Sequence, residues 1–306
     1  MGFHFRFQPR SGSSLGMTLE QLRIFIAVAE REHVTQAAAY LNLTQSATSA
    51  AVAALEERHA VRLFDRVGRR VILTDAGKLF LSEARAVVAR AEQANRLLDD
   101  LAGMKRGTLR LGASQTIANY WLPPLMQRFR EQHPGIALEL AVGNSTLVAQ
   151  MVHDATIDLG FVEGEITDAA LISQILQGDQ LALVVAPGHA WQHCPPSDAE
   201  DLKTSPWVMR EVGSGTRSAC EKVLMDQGLS TDDLEVAFEL PSNEALCVAA
   251  EVGAGAAILS TLVVAPAVKA NRLVSVNFKL PQRPFYVLRH KERHLSLAEQ
   301  RFLDLL

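Results

Sequence analysis

The sequence predicts a multidomain α+β chain: a small helical N-terminal unit closed by a two-stranded hairpin, then one long helix, then a two-lobed α/β domain. Three observations predict it. Residues 33–57, HVTQAAAYLNLTQSATSAAVAALEE, read as two short capped helices around a break at Asn42-Leu43. Beyond Thr74, apolar side chains recur at alternating spacings of four and three, a heptad seam. From Arg106 onward, β-rich runs alternate with helical ones, the pattern of a parallel sheet with crossover helices. A chain of 306 residues is long enough for two or three domains with cores of their own.

Composition narrows the class. Hydrophobic residues make up 48% and charged residues 21%, as in ordinary globular proteins. No apolar run is long enough to span a bilayer, so no membrane partner is expected. Residues 1–16, MGFHFRFQPRSGSSLG, hold arginines but no continuous apolar core. They read as a disordered leader rather than a secretory signal, with Met17 as an alternative start. Cys194, Cys220 and Cys247 are odd in number and widely spaced, which points to a reducing cytoplasm. His193 beside Cys194 has no partner pair at ligand spacing, so no metal is expected. A net charge of −4 argues mildly against a nucleic-acid partner. The positives of the N-terminal unit, however, cluster late, at Arg62, Arg66, Arg69 and Arg70, and DNA meets the local field rather than the sum.

The first element, residues 18–31, opens with a capping Thr18 and repeats Leu19, Leu22, Phe25, Ile26 and Ala29 at helical spacing. In the next helix Thr35 is the expected cap, and Ala37, Ala38, Ala39 and Leu41 the apolar face. Thr44 caps a further helix with Gln45, Ser46, Thr48 and Ser49 near its start, and Ala47, Ala50, Ala54 and Leu55 on its buried side. This is a helix-turn-helix pattern, in which the N-terminal residues of the second helix meet base edges in the major groove. An ordinary αα-hairpin shows the same caps, and the flanks decide between them. Residues 61–75, VRLFDRVGRRVILTD, supply a strand at Val71-Ile72-Leu73 and a turn at Gly68, a wing with a basic tip suited to phosphate or minor-groove contact. The long helix then carries Phe80, Ala84, Val87, Ala91, Ala94, Leu98 and Leu101 along its seam and stops at Gly103 and Gly107. Beside a DNA-binding unit such a seam implies a coiled-coil dimer, because paired half-sites need a two-fold protein.

After Arg106 the expected order is strand TLRLGAS, a proline-interrupted helix NYWLPPLMQRFREQHP, strand IALELAVGN, helix STLVAQMVHDA and strand IDLGFVEG. A second α/β unit begins near residue 165 with LALVVAP, SPWVMRE, GSGTRSACEKVLMDQGL, LEVAFELPSNEALCVAAEVGAG and AAILS. VAPAVKANRLVSV and RPFYVLRH return as strands, and SLAEQRFLDLL is helical. The lobes divide as 107–164 with 266–306 against 165–265, with crossings near Gly164 and Ala265.

These pieces together resemble a LysR-type transcriptional regulator from Met17 onward. FIAVAEREHVTQAAAYLNLTQSATSAAVAALEE, LFDR, LTDAG, DLGFVEG and AEVGAGAAILS carry the resemblance. It implies a winged helix-turn-helix at 17–75, a dimerising linker helix at 76–106 and an effector domain at 107–306 like the periplasmic binding proteins. It also implies promoter DNA as partner, a tetramer, RNA polymerase as a further partner, and a small-molecule effector in place of a cofactor. Thr35, Gln36, Gln45, Ser46, Ser49 and Arg66 are the DNA-contacting positions implied. Thr44, Thr48, Arg69 and Arg70 join them from the reading of the residues. Two departures stand out. The family often has proline at Ser46 and arginine at Ala50, and its usual glycine before the wing is replaced within His59-Ala60-Val61. The missing arginine leaves Gln45 and Ser49 to read bases.

In α/β sheets ligands sit beyond the carboxyl ends of strands, where helix N-termini point inward. Four segments fit: Ser114, Gln115 and Thr116; Asn144, Ser145 and Thr146; Arg210 to Arg217 with Ser214 and Thr216; and Ser242 with Asn243. Each alone would be an ordinary N-cap. Four at equivalent places point to one shared site for a small anion. Glu163 and Glu244 would instead meet a positive group or gate the lobes. A solute-binding protein built on the two lobes is the alternative, opposed by the winged helix and the missing secretory signal. Ser214 in GSG lacks the G-x-S-x-G elbow of a nucleophile, so no enzyme is expected.

Overall fold

The structure is a computed structural model that describes residues 16–68, 70–101 and 107–306. The expected leader, wing residue Arg69 and the end of the linker at 102–106 lie outside the described residues. The chain forms two compact units that divide between Glu92 and Gln93.

The first unit begins with helix α1, Leu19–Arg31, which opens in a capping box: Thr18 accepts the Gln21 N–H, and the Gln21 side chain accepts the Thr18 N–H. Helix α2 spans Val34–Tyr40 and α3 spans Gln45–His59. The cap of α2 is not the Thr35 that the sequence predicts. His33 holds the cap position without a side-chain bond, and Thr35 is an exposed helical residue. Val34 packs against the unit's core, and that contact draws it into the helix one residue earlier. Thr44 does cap α3, accepting the Ala47 N–H at 3.2 Å.

The buried face of α3 also differs from expectation. Ala47, Ala50 and Ala54 are exposed, whereas Thr48 and Leu55 are buried. Leu55 is the one large apolar side chain in the helix core contact, and Val52 and Thr48 lie three and seven residues before it on the same face. The Thr48 hydroxyl donates to the Thr44 carbonyl at 3.1 Å, which satisfies it inside the fold. Strands β1, Phe64–Val67, and β2, Arg70–Leu73, pair antiparallel across Gly68, whose φ of +64° is the left-handed region glycine tolerates. Helix α4, Asp75–Leu101, starts with Thr74 accepting the Gly77 N–H. The Phe25 ring sits between Phe64 and Phe80, with centroids 5.3 and 4.9 Å away. Phe80 and Ala84 of the seam therefore complete this core, whereas Val87 and Leu98 are 46% and 65% exposed. The Leu101 side chain lies outside the described residues.

The second unit is built on one seven-stranded sheet. Its strands are β3 (Gly107–Ser114), β4 (Ile136–Gly143), β5 (Leu159–Glu163), β6 (Leu171–Val185), β9 (Ala257–Ser260), β10 (Val274–Val276) and β11 (Gln282–His290). The order is β10-β6-β11-β5-β3-β4, with β9 also on β6. β3 runs parallel to β4 and β5, and β11 runs antiparallel between β5 and β6. Helices α5 (Leu122–Gln132), α6 (Ser145–His153) and α11 (Leu297–Leu303) cover the first lobe, and a π-helical turn at Ile117–Trp121 precedes the Pro123-Pro124 start of α5. α5 and α11 close one core around Phe129, Phe161, Phe285 and Phe302, and α6 packs Val148 and Val152 against Val162 and Leu288. The second lobe adds α7 (Ala199–Leu202), β7 (Trp207–Arg210), α8 (Gly215–Asp226), β8 (Val236–Leu240), α9 (Asn243–Glu251) and α10 (Thr261–Lys269), with β7 and β8 pairing in parallel.

Two features of the lobe division differ from the sequence reading. The stretch VAPAVKA lies in α10, not in a strand, and Ala265 is no crossing point. Ser260 caps that helix, and Val263, Val264 and Ala267 bury against the second lobe at helical spacing, which outweighs Pro266. The lobes share β6: residues 171–180 pair with β11, and residues 181–185 pair with β9 and β10. The chain returns between β10 and β11, at residues 277–281.

Candidate DNA face and interlobe site

The first unit presents an uncharged reading surface. Gln45 and Ser46 are exposed on the first turn of α3, and Thr35 and Gln36 are exposed on α2. The Gln45 side-chain amide donates to the Ser49 hydroxyl at 3.2 Å, and Thr44 and Ser46 hydroxyls pair at 3.1 Å. The carbonyl oxygen of Gln45 and one amide hydrogen stay available, the pair needed for a bidentate bond to adenine. No charged residue occurs from Thr44 to Leu55. Thr48 leaves the candidate set, because it is fully buried. Arg66 and Arg70 are exposed on the wing strands. The sequence reading missed Glu56, whose carboxylate accepts the N–H groups of Leu63 (2.7 Å) and Phe64 (3.1 Å) and so ties the wing to α3. Ala60 ends α3 with φ +51°, where the missing glycine would sit without strain.

In the second unit the four expected segments converge between the lobes, and most of them bond to one another. Gln115 donates to the Pro241 carbonyl (2.9 Å) and accepts the Asn243 N–H (3.0 Å). The Asn243 amide donates to the Thr116 hydroxyl at 3.0 Å, and its oxygen accepts from Arg210. Arg210 also forks onto Glu211 at 2.8 and 3.0 Å, so its charge is neutralised inside the fold rather than offered to a ligand. Burial pushes the Glu211 carboxyl up, but Arg210 and the Asn144 amide bonded to it hold it below the usual carboxylate range. Asn144 caps α6 by accepting the Leu147 N–H, and Thr146 donates its N–H to the Gly213 carbonyl at 3.2 Å. Ser145 donates to Glu163, 3.2 Å from its carboxylate. A Cβ at Gly215 would come 2.5 Å from the Glu163 carbonyl, so only glycine lets the two lobes approach here.

Ser214 and Ser242 cap α8 and α9. Thr216 accepts from Arg283 at 3.1 Å, and Arg283 also chelates Asp179 and lies 3.7 Å from Glu163. Neither Arg283 nor Asp179 was legible as part of the site, since nothing in RPFYV or QGDQ marks an ion pair 104 residues apart. Glu244 accepts from Asn119 (3.1 Å) and Tyr120 (3.5 Å) across the same gap, a gate-like contact between lobes. Against this web of satisfied groups, one stands out. The Ser114 hydroxyl is buried at the carboxyl end of β3 and has no hydrogen-bond partner.

Burial pushes the Cys220 thiol up to about 12 and the Cys247 thiol up to about 11, so neither supplies thiolate near neutrality. Among the described residues no group of three or more His, Cys, Asp or Glu is placed to hold a metal, and no helix is long and apolar enough to cross a membrane.

Comparison with known proteins covers both units. A family model described as the LysR substrate binding domain matches residues 102–306, and one described as a bacterial regulatory helix-turn-helix protein of the lysR family matches residues 19–78. The uncharacterized HTH-type transcriptional regulator YeiE of Escherichia coli (strain K12) is 37% identical over 290 residues, 94% of this chain and 96% of that one. The RuBisCO operon transcriptional regulator of Allochromatium vinosum is 30% identical over 94% of this chain and 95% of its own length. Among solved structures, a full-length OxyR from Pseudomonas aeruginosa superposes with a TM-score of 0.69 at 20% identity, covering 95% of this chain and 94% of that one. CbnR complexed with its target DNA gives 0.67 at 21% identity, covering 94% of this chain and 98% of its own.

Proposed function

The chain belongs to the LysR family of transcriptional regulators, with a helix-turn-helix unit and an effector-binding domain, and we propose that a small anionic effector bound between its lobes switches how it acts at a promoter. The alternative of a solute-binding protein is overturned by the regulatory helix-turn-helix match across residues 19–78.

One observation carries the effector reading. Leaving a buried hydroxyl unpaired costs about 1–3 kcal/mol, and Ser114 bears that cost at the place where α/β sheets bind ligands. A ligand acceptor there removes the penalty. Thr116, Asn144, Ser145 and Thr146 flank it, with Ser214, Thr216 and Ser242 at the opposing helix starts, and Gln115, Glu163, Arg210 and Asn243 hold these groups in place. The chain divides at residues 75 and 106 in this reading. Residues 17–75 bind promoter DNA through Thr35, Gln36, Thr44, Gln45, Ser46 and Ser49 with Arg66, Arg69 and Arg70. Residues 76–106 dimerise the protein, two dimers form a tetramer in the cytoplasm, and RNA polymerase is engaged at the promoter.

Ser114→Ala separates this reading from a structural role. It removes an unpaired polar atom, so the ligand-free protein should gain about 1–3 kcal/mol in denaturant unfolding. Calorimetry with small oxyanions and carboxylates should show weaker binding in the same variant. A true effector whose affinity is unchanged by Ser114→Ala and by Thr116→Ala sinks the proposal.

A further inference from the structure

Beside the Ser145–Glu163 contact lies a cavity of about 370 Å³ between the end of β5, the first turns of α8 and the returning segment before β11. Ligand pockets for organic molecules begin near ~300 Å³, so this space is oversized for a bare inorganic oxyanion. Its charges are sorted by wall. On the first-lobe wall, Glu163 is buried and Glu165 is exposed. One guanidinium, Arg283, lies against two carboxylates, Glu163 and Asp179, which leaves a buried negative charge in excess. On the second-lobe wall, Ser218 and Lys222 project from the same face of α8, one turn apart. Among the described residues Lys222 makes no ion pair and neither does Glu165.

A ligand with a negative charge alone would meet Lys222 but also the uncompensated Glu163. A ligand with a positive charge alone would meet the reverse. Resting on the reading that the effector sits between the lobes, we propose that this cavity takes a zwitterionic, amino-acid-like metabolite: carboxylate against Lys222 and Ser218, ammonium against Glu163, and hydrocarbon on Ile166 and Leu181. Bridging the walls in this way draws α8 toward the end of β5, and the ligand binds the closed arrangement of the lobes more tightly than the open one.

The test is calorimetry of the full-length protein with the common amino acids, their matched des-amino acids, and sulfate and phosphate. At least one amino acid should bind, and its des-amino counterpart should bind about tenfold more weakly or worse. Lys222→Gln should weaken the amino acid about tenfold, and Glu163→Gln should weaken the amino acid while leaving its des-amino counterpart no weaker, or tighter once the repelling carboxylate is gone. Lys222 is exposed, so that variant folds whatever Glu163→Gln does to the buried cluster. The proposal is overturned if no amino acid binds, if des-amino acids or oxyanions bind as tightly, or if Lys222→Gln changes nothing. An oxyanion that binds and is weakened by Ser114→Ala would leave the interlobe reading standing and remove only the zwitterion.

Discussion

Gln45 and Thr48 are one helical turn apart on α3 and do different things. Gln45 is exposed with its amide held by Ser49, and Thr48 is fully buried against the helix core. Gln45→Ala should cost on the order of 1–3 kcal/mol in operator affinity and relax specificity at one base pair. Thr48→Ala should cost about 1 kcal/mol of folding stability and leave base preference unchanged. Selection from random operators, paired with urea unfolding of both variants, checks the split. A shifted base preference in Thr48→Ala would return it to the reading surface. The sequence shows why Thr48 was misjudged: in a helix of Ala, Ser and Thr no residue but Leu55 fixes which face is inward. Side-chain type did mark the caps at Thr18, Thr44, Asn144, Ser214 and Ser242, because a cap needs only its own local backbone.

At the scale of elements, α4 divides its seam between two tasks. Phe80 and Ala84 close the first unit's own core, and Val87 and Leu98 are exposed. Val87→Glu should therefore lower the oligomeric state and abolish tight binding to a two-half-site operator while leaving the fold of the first unit intact. Sedimentation showing an unchanged oligomer would rule out the seam as the dimer contact. The wing is tied to α3 by Glu56, so the strand that carries Arg66 is held at a fixed place. Arg66→Ala should weaken binding to all DNA sequences and reduce the salt slope by about 1. An unchanged slope across a salt series removes Arg66 from the phosphate contacts. The strands and most helices were legible because their periodicity is local. The helix at Thr261–Lys269 was not, since a proline and a β-branched run obscured an apolar face that only the second lobe's core reveals.

Across the whole second unit, the lobes are joined side chain by side chain, and Asn243 is one of these joints. It meets Gln115 through its backbone, Thr116 and Arg210 through its amide, and is fully buried. Asn243→Ala leaves Arg210 and Thr116 short of partners, a loss of about 1–3 kcal/mol. Hydrogen exchange at residues 114–117 and 240–246 should accelerate about tenfold or more in the ligand-free protein, with the sheet interior unchanged. Unaltered exchange there would show that Asn243 does not hold the lobes. The expected site segments did meet, because the ends of the parallel pairs β3–β4 and β7–β8 face each other across the gap between the lobes. Their partners Asp179 and Arg283 stayed hidden, since a buried ion pair between residues 104 apart leaves no periodic trace in the sequence.

The sheet order sets a schedule for synthesis. β11, the last strand made, occupies the middle of the sheet between β5 and β6. Until residues 282–290 leave the ribosome, β5 has no neighbour on that side and the first lobe waits with an unpaired edge. The second lobe's strands end with β10, and Phe278 and Leu280 just beyond it complete its core. The lobe begun later in the chain is thus complete earlier, and a nascent chain arrested before residue 282 should carry a protease-resistant second lobe beside an unfinished first one.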